Sequence, residues 1–341
     1  MEKARFKWVL RERNRKIAAK TEAFTEQQAR RVRSFHSSFK EYSPTPLIEL
    51  TSLAQHLGIK NLFVKDESYR FGLNAFKVLG GSFAIGSYIA NELGEDIDDL
   101  PYMRLVSDEV RSLLGSKTFI TTTDGNHGRG VAWTANRLKQ QAIVYMPQGS
   151  AAERLANIRA EGAQAEITDM NYDDTVRYTS ELAQKNGWII VQDTAWDGYT
   201  RIPLWIMQGY MTMALEAYEQ LPVKPTHIFL QAGVGSLAGS VQGFFADIYG
   251  SSCPLTFIVE PKGADCLYQT AAANDGSLHS VTGRLETIMA GLACGEPNSI
   301  AWEILGNLSD GFISCPDYTA AQGMRILGNP LAGDTKVSAG E

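Results

Sequence analysis

Along the chain, strand-length apolar runs alternate with helix-length amphipathic stretches. Residues 118–122 are β-branched or apolar and uncharged, which predicts a strand, and a helix follows through Ala132 to Leu138. Residues 142–146 predict the next strand, closed by Pro147, and 151–160 a helix ending at Gly162. Thr168 or Asn171 can cap the helix after that, which stops at Gly187, and residues 188–191 read as strand again. The pattern restarts after Pro225, with strands over 227–230 and 256–259 on either side of a helix over 237–248. Before all of this, Tyr42-Ser-Pro-Thr-Pro46 marks an extended turn, and a short helix falls near Leu53. A strand over 61–65 and a helix from Lys77 to about Ala90 complete the pattern. Such alternation implies an α/β protein with mainly parallel, twisted sheets flanked by helices. No repeat of solenoid period interrupts it.

At 341 residues the chain exceeds the size of a single core, so two domains are expected. The expected large domain takes residues 1–77 and 194–341, with 1–39 a polar, partly helical arm; the small domain takes 78–193. Hydrophobic residues make up 44% and charged residues 21%, ordinary for a globular protein. The net charge of −6 and the lack of a basic cluster argue against nucleic acid as a partner. Apolar runs are too short for a membrane span. The basic first twenty residues carry Glu2 and Glu12 and no signal-like apolar run follows them, so a cytoplasmic protein is expected. Cys253, Cys266, Cys294 and Cys315 form no C-x-x-C pair, and no metal site is expected. The spacing leaves open whether they are reduced thiols or include a disulfide.

Three loops and one lysine carry the candidate chemistry. Lys77 stands alone in the otherwise uncharged run Phe71-Gly-Leu-Asn-Ala-Phe-Lys77-Val-Leu-Gly80-Gly81. A lysine in apolar surroundings loses solvation, and its amine becomes the nucleophile that carbonyl chemistry needs. Gly233-Val-Gly235-Ser236-Leu237 follows a predicted strand and opens a helix, a place where backbone N–H groups can receive phosphate. Thr123-Asp124-Gly125-Asn126-His127-Gly128 crowds hydroxyl, acid and amide groups at a strand end, either to grip a carboxylate or simply as an Asx-type turn. Asp193 also follows a predicted strand, where ligands collect in parallel sheets, or else it caps a helix. A rival reading takes Gly233, Gly235 and Ala238 as a dinucleotide fingerprint, with Glu260 as the ribose carboxylate of a nicotinamide-dependent oxidoreductase. That reading gives Lys77 no task.

Taken together, these segments resemble the fold-type II pyridoxal-phosphate enzymes, the tryptophan synthase β family. The similarity rests on Arg70-Phe-Gly-Leu-Asn-Ala-Phe-Lys77, Thr121-Thr-Thr-Asp-Gly-Asn-His-Gly-Arg-Gly130, Asp169-Met-Asn-Tyr-Asp-Asp-Thr175, Val191-Gln-Asp-Thr-Ala-Trp196 and Met289-Ala-Gly-Leu-Ala-Cys-Gly-Glu-Pro297. The resemblance implies that Lys77 holds pyridoxal 5'-phosphate as an imine. It implies that Asn126 bonds the ring hydroxyl oxygen and that Gly233, Val234, Gly235, Ser236 and Leu237 cradle the phosphate. Thr123, Asp124, Gly125, His127 and Asp193 then face substrate. Asp124 stands where the family's dehydratases have serine or another small residue, and an acid there suits a substrate with a second amine. The chain looks most similar to ammonia-lyases that act on 2,3-diaminopropionate. The implied activity is α,β-elimination to pyruvate and two ammonia molecules, with Lys77, Asp124 and Asp193 as catalytic groups and a homodimer as the assembly. A serine or threonine dehydratase is the nearest rival, and a non-catalytic cofactor carrier a more distant one. The resemblance also implies that a helix and a strand follow Val337-Ser-Ala-Gly-Glu341 and bring a serine or threonine to the cofactor ring nitrogen. The C-terminus therefore looks truncated, with weak cofactor retention and low activity expected of a 341-residue chain.

Overall fold

The alternation of elements resolves into two parallel sheets. A computed structural model describes residues 6–13, 21–123 and 125–340. The first stretch contains β1 (Lys7–Leu10), α1 (Glu26–Ser37), β2 (Leu47–Glu49), α2 (Thr51–Leu57), β3 (Phe63–Lys65) and α3 (Lys77–Leu93). Two short helices, α4 (Tyr102–Leu105) and α5 (Asp108–Leu114), lead into β4 (Thr118–Thr122) and α6 (Asn126–Arg137). Next come β5 (Gln141–Met146), α7 (Ala152–Ala160), β6 (Gln164–Ile167), α8 (Tyr172–Asn186), β7 (Ile189–Ile190) and α9 (Arg201–Gln220). The last stretch contains β8 (His227–Gln231), α10 (Ser236–Tyr249), β9 (Leu255–Pro261) and α11 (Cys266–Ala273). It closes with α12 (Ser299–Leu308), β10 (Gly311–Cys315) and α13 (Asp317–Gly328).

One sheet has the order β6-β5-β4-β7 and is parallel throughout. The other has the order β1-β10-β9-β8, parallel except for β1, which runs antiparallel to β10. β2 and β3 pair as a separate antiparallel hairpin. Phe119 to Thr122 are buried, as expected of a central parallel strand with helices on both faces. Asn171 rather than Thr168 caps α8, its side chain accepting from Asp174 N at 2.9 Å.

The described residues among the first 39 are not simply a polar arm. Phe24, Val32, Phe35 and Phe39 are buried in the main core, and Lys7–Leu10 adds an edge strand. β6 and β10 were also absent from the sequence pattern. Among the described residues, no helix is long and apolar enough to cross a membrane.

The helix α3 is the hub, packed on α9 and α6 and buried along most of its length. Glycines let the three backbones meet. A Cβ on Gly209 of α9 would lie 2.3 Å from Leu79 O and 2.7 Å from Gly80 Cα. A Cβ on Gly130 of α6 would lie 2.8 Å from Val78 Cα. At such crossings only glycine removes the side chain that would hold the helices apart. From below, buried His36 of α1 donates through Nε2 to Leu79 O at 3.0 Å and accepts at Nδ1 from Thr212 Oγ1 at 2.7 Å. Burial, with the nearby Arg70 charge, pushes the His36 imidazole down to about 3, so it is neutral.

Candidate active site

Lys77 is the first residue of α3, and the segment before it is tied to α9 by charge. Arg70, fully buried, donates to Glu216 Oε2 at 2.7 Å and Oε1 at 2.9 Å, and to Glu67 Oε2 at 2.8 Å. Lys65 Nζ adds a 2.8 Å bond to Glu216 Oε2. Burial opposes the Glu216 charge, but Arg70 and Lys65 outweigh it and hold the carboxyl at about 2. Breaking so buried a network would leave uncompensated charge, so this anchor is rigid.

The lysine does not sit in a purely apolar pocket. Its Nζ donates to Asp193 Oδ2 at 2.8 Å, and both side chains are largely buried. Asp193 lies just past β7 and caps no helix, since Thr200 precedes α9. Burial disfavours its carboxylate, yet the Lys77 ammonium, with a smaller contribution from His127, holds its carboxyl at about 2. His127 Nδ1 is 4.0 Å from Asp193 Oδ2. Its Nε2 is 2.7 Å from Val191 O, and because a carbonyl only accepts, Nε2 is the nitrogen that carries the proton in that bond.

The loop between β4 and α6 is held from inside. Thr123 Oγ1 accepts from Gly125 N at 3.0 Å and from Gly128 N at 3.1 Å. A Cβ on Gly128 would lie 2.3 Å from Thr123 Cγ2, so the turn closes only over glycine. Asn126 opens α6 with its side chain exposed. Asp124 lies outside the described residues. Gln192 completes the strand edge where two-residue β7 stops, accepting from Thr121 Oγ1 and Thr122 N, each at 3.0 Å.

The glycine turn after β8 reaches the same place. Gly235 has φ +100°, a left-handed conformation that disfavours any side chain. Val234 is buried, Gly233 and Leu237 are half-buried, and α10 starts at Ser236. The first-turn N–H groups of a helix have no intrahelical acceptor, and the helix dipole adds positive potential there. Ser236 Oγ donates to Asp193 O at 2.5 Å. Asp193 therefore touches Lys77 with its carboxylate and the glycine turn with its carbonyl.

Two groups escaped the sequence reading. Asn298, at the start of α12, donates through Nδ2 to Ser236 Oγ at 2.8 Å. Tyr210 of α9 packs edge-on to Phe76, ring centroids 5.2 Å apart, and over Gly80. Its buried hydroxyl has no hydrogen-bond partner among the described residues. Only a partner far along the chain could have revealed either.

Glu260 argues against the dinucleotide reading. It is fully buried, and its two oxygens accept from Leu267 N at 2.8 Å and Tyr268 N at 2.7 Å. Burial pushes its carboxyl well up despite those two bonds. A carboxylate so engaged cannot hold a ribose. All four cysteines are free thiols. Among the described residues, no group of three or more His, Cys, Asp or Glu could hold a metal.

The residues present fit pyridoxal phosphate: an amine for its aldehyde, a carboxylate beside that amine, and a glycine turn opening a helix for its phosphate. The chain belongs to the pyridoxal-phosphate-dependent enzyme family, whose model matches residues 39–330, and pyridoxal phosphate is its cofactor. Within that family it is 52% identical over 322 residues to the diaminopropionate ammonia-lyase of Escherichia coli (strain K12), spanning 93% of this chain and 79% of that protein. Over 315 residues it is 53% identical to the diaminopropionate ammonia-lyase of Salmonella typhimurium, spanning 91% of this chain and 78% of that protein. The holo Escherichia coli enzyme superposes with a TM-score of 0.91 at 49% identity, covering 99% of this chain and 83% of that one. A further structure of that enzyme, in complex with an aminoacrylate-PLP azomethine reaction intermediate, gives a TM-score of 0.89 at 48% identity, covering 99% of this chain and 84% of that one.

Proposed function

We propose that the chain catalyses α,β-elimination on 2,3-diaminopropionate, which with one water yields pyruvate and two ammonia molecules. The observation that carries this reading is the double contact of Asp193, with Lys77 Nζ on one side and Ser236 Oγ on the other. It brings a nucleophilic amine and a phosphate seat to the two ends of one residue. Bound there, pyridoxal phosphate draws electrons from the substrate Cα and acidifies its proton.

The chain's own residues do the rest. Lys77 holds the cofactor, then as a free amine takes the Cα proton of the L-substrate. Asp124 is assigned to the opposite face, where it serves the D-substrate. Asp193 carries negative charge near Lys77 and places the departing β-amine. Asn126 bonds the ring oxygen, and Gly233, Val234, Gly235, Ser236 and Leu237 receive the phosphate. Thr123 shapes the substrate loop through its bonds to Gly125 N and Gly128 N, while His127 orients the Asp193 side. The reading includes a small domain over 78–193, which the two separate parallel sheets support and limited proteolysis checks; it also includes a homodimer, checked by light scattering, in the cytoplasm.

The decisive assay measures pyruvate and ammonia from diaminopropionate in the wild type and Lys77→Ala, beside oxoacid formation from serine and threonine. Diaminopropionate should be the best substrate, with two ammonia per pyruvate, and Lys77→Ala should be inactive. Faster turnover of serine or threonine would make the chain a dehydratase.

A further inference from the structure

Asn298 is completely buried yet stands outside every loop to which the chemistry has been assigned. It caps α12, its Oδ1 accepting from Ile300 N at 2.9 Å and Ala301 N at 3.3 Å. Those two donors fix the orientation of the amide, so its NH₂ group faces the site. Nδ2 donates to Ser236 Oγ at 2.8 Å and lies 3.5 Å from Asp193 O. The Asn298 backbone N donates to Val234 O at 2.8 Å. One residue thus holds both the glycine turn and the backbone beside Lys77.

The proton count gives this arrangement a purpose. A serine hydroxyl has one proton, and that of Ser236 is committed to Asp193 O. While that bond stands, Ser236 cannot donate to an anion in the turn. Turning the hydroxyl away would strip Asp193 O of its closest donor, at the residue that also pairs with Lys77. The Asn298 amide carries two N–H groups, and Asp193 O is already at the edge of its reach.

We propose that Asn298 is a positioning residue that releases the Ser236 hydroxyl to phosphate. When phosphate enters the turn, the Ser236 O–H rotates to a phosphate oxygen. An Asn298 N–H then closes on Asp193 O, and Asp193 keeps its place against Lys77. This rests on the reading of the turn as the cofactor's phosphate seat. If Asn298 were only a helix cap, its loss would loosen the site for any ligand alike.

The test uses the full chain freed of cofactor and two ligands, pyridoxal phosphate and phosphate-free pyridoxal, with affinities read from visible absorbance. Asn298→Ser keeps an oxygen to cap α12 but removes both amide N–H groups. Its affinity for pyridoxal phosphate should fall about tenfold while that for pyridoxal holds, since one charge-assisted bond is lost. Ser236→Ala should show the same selective loss, and the double variant should be no worse than Ser236→Ala. Equal weakening of both ligands, or additive losses in the double variant, would overturn the proposal. Should Asn298→Ser fail to fold, the rise in melting temperature with inorganic phosphate decides: Ser236→Ala must diminish it, and an undiminished rise sinks the relay. Wild-type protein that binds the two ligands equally well would remove the phosphate seat itself, and the relay with it.

Discussion

The close crossing of α3 and α9 lies directly behind the lysine, and Gly209→Ala tests it. The new methyl would sit 2.3 Å from Leu79 O, 2.7 Å from Gly80 Cα and 2.8 Å from Leu79 C. All three are main-chain atoms of α3, so no side chain can swing aside. A relaxed carbon-to-oxygen contact needs about 3.3 Å, so α3 and α9 must part by about 1 Å. Overpacking of this kind costs about 1–3 kcal/mol, against which the better helix propensity of alanine returns about 1 kcal/mol. A net loss of about 2 kcal/mol is expected at the upper end. The kinetic effect should be larger, because Lys77 begins the displaced helix and a shift of about 1 Å in a reacting group costs about a hundredfold in rate. Urea unfolding of cofactor-free protein reads the first quantity, and turnover of diaminopropionate the second. Gly323→Ala in α13 is the control: a Cβ there meets nothing within 4 Å, so it should be neutral or slightly stabilising. Wild-type stability and turnover in Gly209→Ala would show that the crossing does not fix Lys77.

Three further outcomes are expected. Asp193→Asn removes the carboxylate that pairs with Lys77 Nζ at 2.8 Å and should lower the unfolding free energy of the cofactor-free protein by about 1–3 kcal/mol, less than for a fully buried pair; unchanged urea midpoints would contradict the ion pair. Tyr210→Phe removes a buried hydroxyl that has no partner among the described residues, so thermal stability should hold or rise by about 1 kcal/mol, and a clear fall would mean the hydroxyl is bonded. His36 is neutral when folded, with its imidazole at about 3, whereas the unfolded chain takes up a proton below its ordinary value of 6.5. Its contribution is therefore complete above pH 6.5 and falls by about 1.4 kcal/mol per pH unit below it, toward pH 3. Melting curves from pH 7.5 to 5 should show that slope in the wild type and a flatter one in His36→Gln; identical slopes would refute it.

Local chemistry explains which parts of this structure the sequence made legible. Thr118–Thr122 matched to the residue because a β-branched run ends in a turn, and both signals are local. The placement of Lys77 and of the glycine turn at element boundaries was legible for the same reason, both being unusual residue types where helices begin. β1 was not, because Lys7–Leu10 lies in a charged stretch and becomes a strand only by pairing with Gly311–Cys315, some three hundred residues on. Sequence spacing also favoured Glu260 as a ribose ligand, and only its two backbone partners show otherwise. Asn298 and His36 went unread because caps and core histidines look alike until their distant partners are known.

The two duties of Asp193 are chemically separable. Its bond to Ser236 uses the main-chain carbonyl, which every amino acid has, while its bond to Lys77 uses the side chain alone. A substitution at position 193 therefore changes the partner of Lys77 while leaving in place the peptide carbonyl that meets Ser236. For anyone wishing to retune this scaffold, side-chain and main-chain contacts at one residue can be altered one at a time.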